Sequence, residues 1–373
     1  FNEFGVQTWG FAHRIYKFTS YTCPDGFLAK NGEHPSYNPT TSSPVYPSNL
    51  CTANVDLVIL TKLRQQCKAN GPNVPLMEGT NPCFPATGDK ARFETDFEFS
   101  GRPFVRSYHS LRQAATSPEL APGWSHTYSE RIIGSPYSSN ISLITDSGYY
   151  ETFKRIGKTS RFISPEDASK VIDLVVEGGF YVFKLSDQGD LVRYFNNAGA
   201  LLRMESLGSS WKLTFGYEGL RLVSVTDHTG LKLSFEYLDN QLKTVRLPDG
   251  NTVQYTYDTN RNLQSVQYAD GTTRTYHYNE AGYSGANDPH ALTGISDNGQ
   301  RYLTFAYDTK NRVRLSQADT SAGAVEKTEL AYAGDNQVVV TGRYGESRAY
   351  TLSNDSGFRR VTALAASNGT VTN

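Results

Sequence analysis

The 373-residue sequence is short of several things, and each shortage narrows what it is. Net charge is nearly absent: 36 Lys and Arg against 37 Asp and Glu leave −1, without the basic excess of a nucleic-acid or anionic-membrane binder. Polyanions are therefore not expected partners. The longest apolar run, Val55 to Leu60, is interrupted by Asp56 and falls far short of the roughly 18 residues a transmembrane helix needs. No signal peptide opens the chain, which begins at Phe1 rather than Met and reads as processed or truncated. Motifs of chemistry are missing too: there is no His-Glu-x-x-His, no Gly-x-Ser-x-Gly, no P-loop and no dinucleotide-binding glycine cluster. The seven histidines form no i,i+4 pair. His277 reads as an ordinary exposed residue, and His109 and His126 as structural hydrogen-bonding groups. No catalytic residue, metal ligand or cofactor is assigned, and the chain is not expected to be an enzyme.

Cysteine is scarce and confined to the first quarter, at Cys23, Cys51, Cys67 and Cys83. Spacings of 28, 16 and 16 residues contain no Cys-x-x-Cys, as a zinc ribbon or thioredoxin-type site would require. The expectation is disulfides stapling a loop-rich segment with prolines at 35, 39, 44 and 47, and hence an oxidising compartment. Three pairings remain open, and four buried reduced thiols are the alternative. Within this segment Asn54–Asn70 is the one candidate helix. Asn54 is placed as N-cap, Val55, Val58, Ile59 and Leu63 recur at helical spacing, and Gly71-Pro72 stops it. A strand through Val55–Leu60 is the other reading.

What the chain does have is 24 Tyr, 19 Phe, 32 Gly and 16 Pro, a balance that predicts an all-β protein of many short strands. The tyrosines are periodic. Aromatic-x-Tyr recurs at Phe215/Tyr217, Phe235/Tyr237, Tyr255/Tyr257, Tyr276/Tyr278 and Phe305/Tyr307, at steps of 20, 20, 21 and 29 residues. Fifteen residues before the last four closing tyrosines stands a leucine: Leu222, Leu242, Leu263 and Leu292. Twelve before stands Val225, Val245, Val266 or Ile295, and near the middle Gly230, Gly250, Gly271 or Gly299. The long step is a loop insertion, Ala281 to Pro289.

Each unit reads as a β-hairpin. Trp211, Leu213, Phe215 and Tyr217, then Leu231, Leu233, Phe235 and Tyr237, alternate with polar residues at period two, the pattern of a strand with one buried face. Leu-x-x-Val on the companion strand puts the two side chains on opposite faces unless a bulge intervenes or both faces are buried. Asp249-Gly250 and Asp270-Gly271 suit tight turns. The inward alternation makes the tyrosines core residues rather than platforms for sugar rings. Asp187, Asp190, Asp227, Asp249, Asp270 and Asp297 bring about one carboxylate to each turn, which fits Asx turns better than calcium.

At these residues a family is visible. Tyr257-Asp258-Thr-Asn-Arg-Asn-Leu263-x-Ser-Val266, followed by Asp270-Gly271 and Tyr276-x-Tyr278, resembles the YD repeat of the RHS (rearrangement hotspot) family. The preceding segment adds a second match: Asn81-Pro-Cys-Phe-Pro-Ala-Thr-Gly88-Asp-Lys90, Glu94-Thr-Asp-Phe97, Arg106-Ser-Tyr108-His-Ser110 and Pro122-Gly-Trp124-Ser-His-Thr-Tyr128 are similar to the lead-in of RHS proteins. Together they run from about residue 81 to the end. The resemblance implies a coiled β-sheet shell, which in many bacterial members encloses a C-terminal toxin. The self-cleaving protease core and toxin of such members have no counterpart in these residues.

The expected organisation is a Cys-rich segment over 1–80 with one short helix, an RHS-type β domain over 81–180, and β-hairpin repeats over 181–373 ending on an unpaired sheet edge. The expected role is a secreted or surface structural protein, the N-terminal part of a shell around a polypeptide toxin. Its partners would be further repeats of the same polypeptide and the cargo. The rival is an extracellular assembly or adhesion module, pairing with its own copies through the open edge or binding cell-surface glycans.

Overall fold

The structure is a computed structural model that describes residues 27–29, 36–37, 44–45, 51–53, 83–112, 119–165, 167–187, 189–320, 323–342, 344–355, 358–366 and 371–372. Among them every regular element is a β-strand, and the 31 strands are numbered β1 to β31 in chain order. The candidate helix Asn54–Asn70 lies outside the described residues, which contain no helix.

The chain divides into two units, Phe1–Val58 and Ile59–Asn373. In the first, β1 (Phe27–Ala29) pairs antiparallel with β4 (Cys51–Ala53), and β2 (Ser36–Tyr37) with β3 (Pro44–Val45). In the second, β5 (Cys83–Phe84), β6 (Asp89–Phe99), β7 (Arg102–His109) and β8 (Trp124–His126) make a four-stranded sheet. A single antiparallel sheet then runs from β9 (Arg131–Ile133) to β31 (Val371–Thr372), each strand beside the next, and closes into a barrel. Closure corrects the expected open edge: a sheet this long leaves fewer backbone groups unpaired when it curls back than when it ends in solvent.

The disulfide expectation finds no support at the one cysteine whose side chain is described. Among the described residues no disulfide is formed, and Cys83 is a buried thiol whose pKa burial pushes up, beside Lys90 and Ser316. Packed under the hairpin sheet, its sulfur serves as a small core group. Cys23 and Cys67 lie outside the described residues, and Cys51 is known only as part of β4. The oxidising-compartment argument loses its Cys83 support.

The hairpins explain the sequence period. In each, the register slips by one residue just before the closing tyrosine. Gly216 faces Ser224 but Tyr217 faces Leu222, leaving Val223 as the extra residue. Lys243, Gln264, Thr293 and Arg314 are the equivalents. This bulge brings the Leu and Val of Leu-x-x-Val onto one face, and Leu222, Val225, Leu242, Val245, Leu263, Val266, Leu292 and Ile295 are all buried.

The fifteen-residue spacing is a hydrogen bond. The Tyr237 hydroxyl donates to the Leu222 carbonyl at 2.7 Å, Tyr257 to Leu242 at 2.7 Å, and Tyr307 to Leu292 at 2.9 Å. Each Leu-to-Tyr hairpin is thus closed across its own glycine turn. Tyr332 continues the series by donating to the Val313 carbonyl at 2.9 Å. The inward alternation fails at Leu231, which is exposed because it follows the Gly230 turn at the sheet's rim.

At the turns Gly230, Gly250, Gly271 and Gly299 all take φ between 84° and 91°, and a side chain on Gly250 would meet nothing within 4 Å. Only the backbone demands glycine there. The turn aspartates accept backbone amides two residues on: Asp227 from Thr229, Asp249 from Asn251, Asp270 from Thr272 and Asp308 from Lys310. These are Asx turns.

Candidate functional site

The four-stranded sheet of β5–β8 packs as a plug on the apolar face of the long sheet, in one continuous core that includes Phe104, Tyr108, Trp124, Phe215, Phe235 and Leu292. The hairpins between Trp211 and Val313 are anchored to it in turn. Trp211 donates from Nε1 to the Ser100 carbonyl at 2.8 Å. The Leu242 amide donates to the Glu119 carbonyl at 2.6 Å, and Gln241 Nε2 to that of Leu120 at 3.1 Å. Tyr255 donates its hydroxyl to Asp96 at 2.8 Å, Arg106 donates to the Tyr276 hydroxyl at 2.8 Å, and Trp124 Nε1 to that of Tyr278 at 2.9 Å. The Tyr108 hydroxyl accepts from the Leu292 amide at 3.0 Å and donates to the His290 carbonyl at 2.9 Å. Finally the Val313 amide donates to the Gly88 carbonyl at 2.8 Å. A side chain at Gly88 would run into Arg312 at 2.5 Å, so glycine is required by close approach as well as by its φ of 81°.

At the centre of this interface is a buried ion pair. Arg106 grips Asp96 with two bonds of 2.7 and 2.8 Å, both side chains wholly out of solvent, while the Arg106 guanidinium lies over the Trp124 ring. Burial opposes its charge, but Asp96 outweighs burial and raises the Arg106 pKa. The two carboxylate oxygens are further satisfied by the hydroxyls of Tyr255 and, at 3.3 Å, Tyr268. Such pairs stabilise only when their remaining hydrogen-bonding capacity is met; the tyrosines of the long sheet supply this for Asp96 and for Arg106 Nη2, while Arg106 Nη1 is buried without a hydrogen-bond partner among the described residues.

A second cluster lies at the start of β6. His109 Nδ1 is 2.7 Å from Asp89, whose other oxygen accepts from the Ser110 hydroxyl and the Leu111 amide. Burial, then Arg112, pushes the His109 pKa down to about 4. Burial raises Asp89, but His109 and Arg112 prevail and hold it below its ordinary value. Lys90, also buried, donates to the Ala91 carbonyl and sits 4.4 Å from the centre of the Phe305 ring; burial brings its pKa down to about 8. His126 accepts the Tyr128 amide on Nδ1, and burial pushes its pKa down to about 3. His277 is half-buried rather than exposed, 2.8 Å from the Ser296 hydroxyl.

The repeat tyrosines and leucines therefore meet at the plug, whereas the turn glycines lie away from it at the rims. Sequence reasoning passed over Asp96, Arg106, Tyr255 and Tyr276 as partners. A signal was present: the first aromatic of each pair is Phe at 215, 235 and 305 but Tyr at 255 and 276, the two hairpins that face the Arg106–Asp96 pair. The loop insertion docks on the same core. Tyr307 donates its amide to the Tyr283 carbonyl at 2.7 Å, and Asn262 Nδ2 donates to the Pro289 carbonyl at 2.9 Å.

Residues 80–153 match a family model described as a domain of unknown function (DUF6531), and residues 238–273 match the RHS Repeat. No curated protein matches the chain. Among solved structures, the TcdB2-TccC3 crystal structure is similar at 14% identity, over 76% of this chain and 22% of that one, with a TM-score of 0.26. The Photorhabdus luminescens Tc holotoxin pore is similar at 13% identity, over 77% of this chain and 21% of that one, TM-score 0.24. The N-terminal domain of effector protein SpvB from Salmonella typhimurium follows at 11%, over 74% and 96%, TM-score 0.18. The chain spans about a fifth of the length of the first two. The RHS repeat falls within a run of bulged, tyrosine-tied hairpins, and the segment before it matches separately; over these two stretches the chain is similar to RHS-repeat proteins.

Proposed function

We propose that the chain is a non-enzymatic, secreted or surface-exposed structural protein, the N-terminal part of an RHS shell that encloses or delivers a polypeptide toxin. One observation carries this reading: hairpins of a single design, each closed by a tyrosine hydroxyl and paired edge to edge with the last, roll around a core with their apolar face inward. Such a wall extends by adding units, because each unit is held mainly by its neighbours. Buried charges and hydroxyls in the plug fix the first hairpins in register, giving later ones a set curvature to follow. The rival reading, edge-to-edge assembly, rests on an open sheet edge, and the sheet closes instead. Glycan stacking on the repeat tyrosines is disfavoured by their packing against the core.

The test is protease protection of the protein made from its full reading frame. A polypeptide following the repeats should resist trypsin until the shell is unfolded. A frame that stops at residue 373, or a following segment cut as fast as the same segment alone, would sink the proposal.

A further inference from the structure

One rim of the long sheet is unlike the rest of the surface. Here β9 ends at Ile133, β10 (Asn140–Ile144) begins, β11 (Tyr150–Arg155) ends, β12 (Arg161–Ile163) begins, β13 (Val171–Glu177) ends and β14 (Phe180–Ser186) begins. Because neighbouring strands are antiparallel, these ends lie side by side. The three connections between them each present apolar side chains to solvent. Tyr137 is 80% exposed, Ile156 is exposed beside it in the next turn, and Val176 and Phe180 are 66% and 67% exposed around Gly178-Gly179. The tips are one patch: the Tyr137 and Tyr181 rings meet edge to face at 5.8 Å, and Arg155 reaches across to the carbonyls of Pro136 and Ser138.

The charge around this patch is one-sided. The turn from Lys154 to Arg161 carries Lys154, Arg155, Lys158 and Arg161 and no carboxylate. The nearby acids are already engaged, Asp173 by Arg161 at 2.7 Å and Glu177 by Arg203 at 2.8 Å. Among the described residues neither Lys154 nor Lys158 makes an ion pair, and both are exposed. Three adjacent tips bearing Tyr, Ile, Val and Phe, flanked by lysines whose charge is not neutralised, match the chemistry of a bilayer interface. There aromatic rings sit at headgroup level, aliphatic tips reach the acyl boundary, and lysines meet anionic lipid.

We infer that this rim, from Ile133 to Tyr181, docks on an anionic membrane surface. The chain-wide charge of −1, which argues against such a partner, conceals a segregated cationic turn. Apolar groups on separate protruding tips suit a deformable bilayer better than a flat protein face. Docking here leaves the plug and the hairpin repeats untouched, so the inference stands whether or not the shell encloses a polypeptide.

The experiment is co-sedimentation of the 373-residue chain with vesicles of phosphatidylcholine alone and of phosphatidylcholine with about a third phosphatidylserine, at low and high salt. The chain should pellet with the anionic vesicles, and less so at high salt. Lys154→Glu with Lys158→Glu should weaken this binding at least about tenfold. Tyr137→Ser with Phe180→Ser should do the same, while Leu220→Ser, at an exposed tip elsewhere, should leave it unchanged. Circular dichroism of each variant establishes that it folds. No pelleting of the unaltered chain, or equal pelleting of all variants, overturns the inference. So does self-association that is lost in Phe180→Ser without vesicle binding, which would assign the rim to a second copy of the chain.

Discussion

The plug and the hairpins that wrap it are built on opposite plans. Between Cys83 and Tyr128 the plug buries Asp89, Lys90, Glu94, Arg106, His109, Arg112 and His126, each held by particular partners. The hairpins bury Leu, Val, Ile, Phe and Tyr at equivalent positions, and their ionic groups lie mostly at turns or on the outer face, with Arg274, which pairs with the buried Glu94 of the plug, the exception. A hairpin is interchangeable with its neighbour, and losing one contact leaves the others intact. The plug is unique, and each buried charge depends on its partner. Repetition gives a wall, while buried polar pairing decides where that wall begins and in which register.

The largest break in this contrast should come from Arg106→Met. It leaves Asp96 buried with only tyrosine hydroxyls, and a denaturant titration should record a loss of about 3–5 kcal/mol. Tyr108→Phe removes both a donor and an acceptor between plug and hairpin, stranding the Leu292 amide, and about 2 kcal/mol should be lost by the same measurement.

Acid should also act through the plug. His109 at about 4 and His126 at about 3 lie below the ordinary histidine value of 6.5. The folded chain therefore binds fewer protons than the unfolded one in acid, and the stability these groups contribute above pH 6.5 is lost as pH falls. Glu130 has the opposite sign: burial, against the pull of Arg193, pushes it up to about 7, so its contribution is present in acid and is lost as pH rises through 7. Two histidines outweigh one carboxylate between pH 6.5 and 4.5, so the urea midpoint should fall over that window. The fall should be steeper in Glu130→Gln and shallower in His126→Asn.

In the hairpins the effects should be small. Tyr257→Phe removes the bond to the Leu242 carbonyl and should cost about 1 kcal/mol. Gly250→Ala meets open space but a φ of 89°, and should cost about 1 kcal/mol or less on the same denaturant scale. A Tyr257→Phe loss as large as that of Arg106→Met would show the two regions to be energetically alike and erase the distinction.

Much of the repeat architecture is legible in the sequence because it is local. Leu222 and Tyr217 meet across one turn, and the Leu-x-x-Val spacing already demanded a bulge or burial on both faces. The strands from Arg131 to Ser206 were less legible, since they carry no repeat motif and join the same sheet through pairing alone. The plug's chemistry was hidden by distance along the chain: Arg106 and Tyr276 are 170 residues apart, and no pattern within either segment points to the other. Only the exchange of Phe for Tyr at 255 and 276 marks their place.

By itself, then, the sequence determined the all-β class, the hairpin period, the turn chemistry and the likeness to RHS repeats, each written in residues a few positions apart. The shortage of net charge, read over the whole chain, said little about any one surface. Tertiary structure decided that the sheet closes, that the preceding segment is its core, that Cys83 is a buried thiol, and that apolar tips and lysines share one rim. These outcomes depend on which distant groups meet out of water, where an unmatched charge or backbone group is costly.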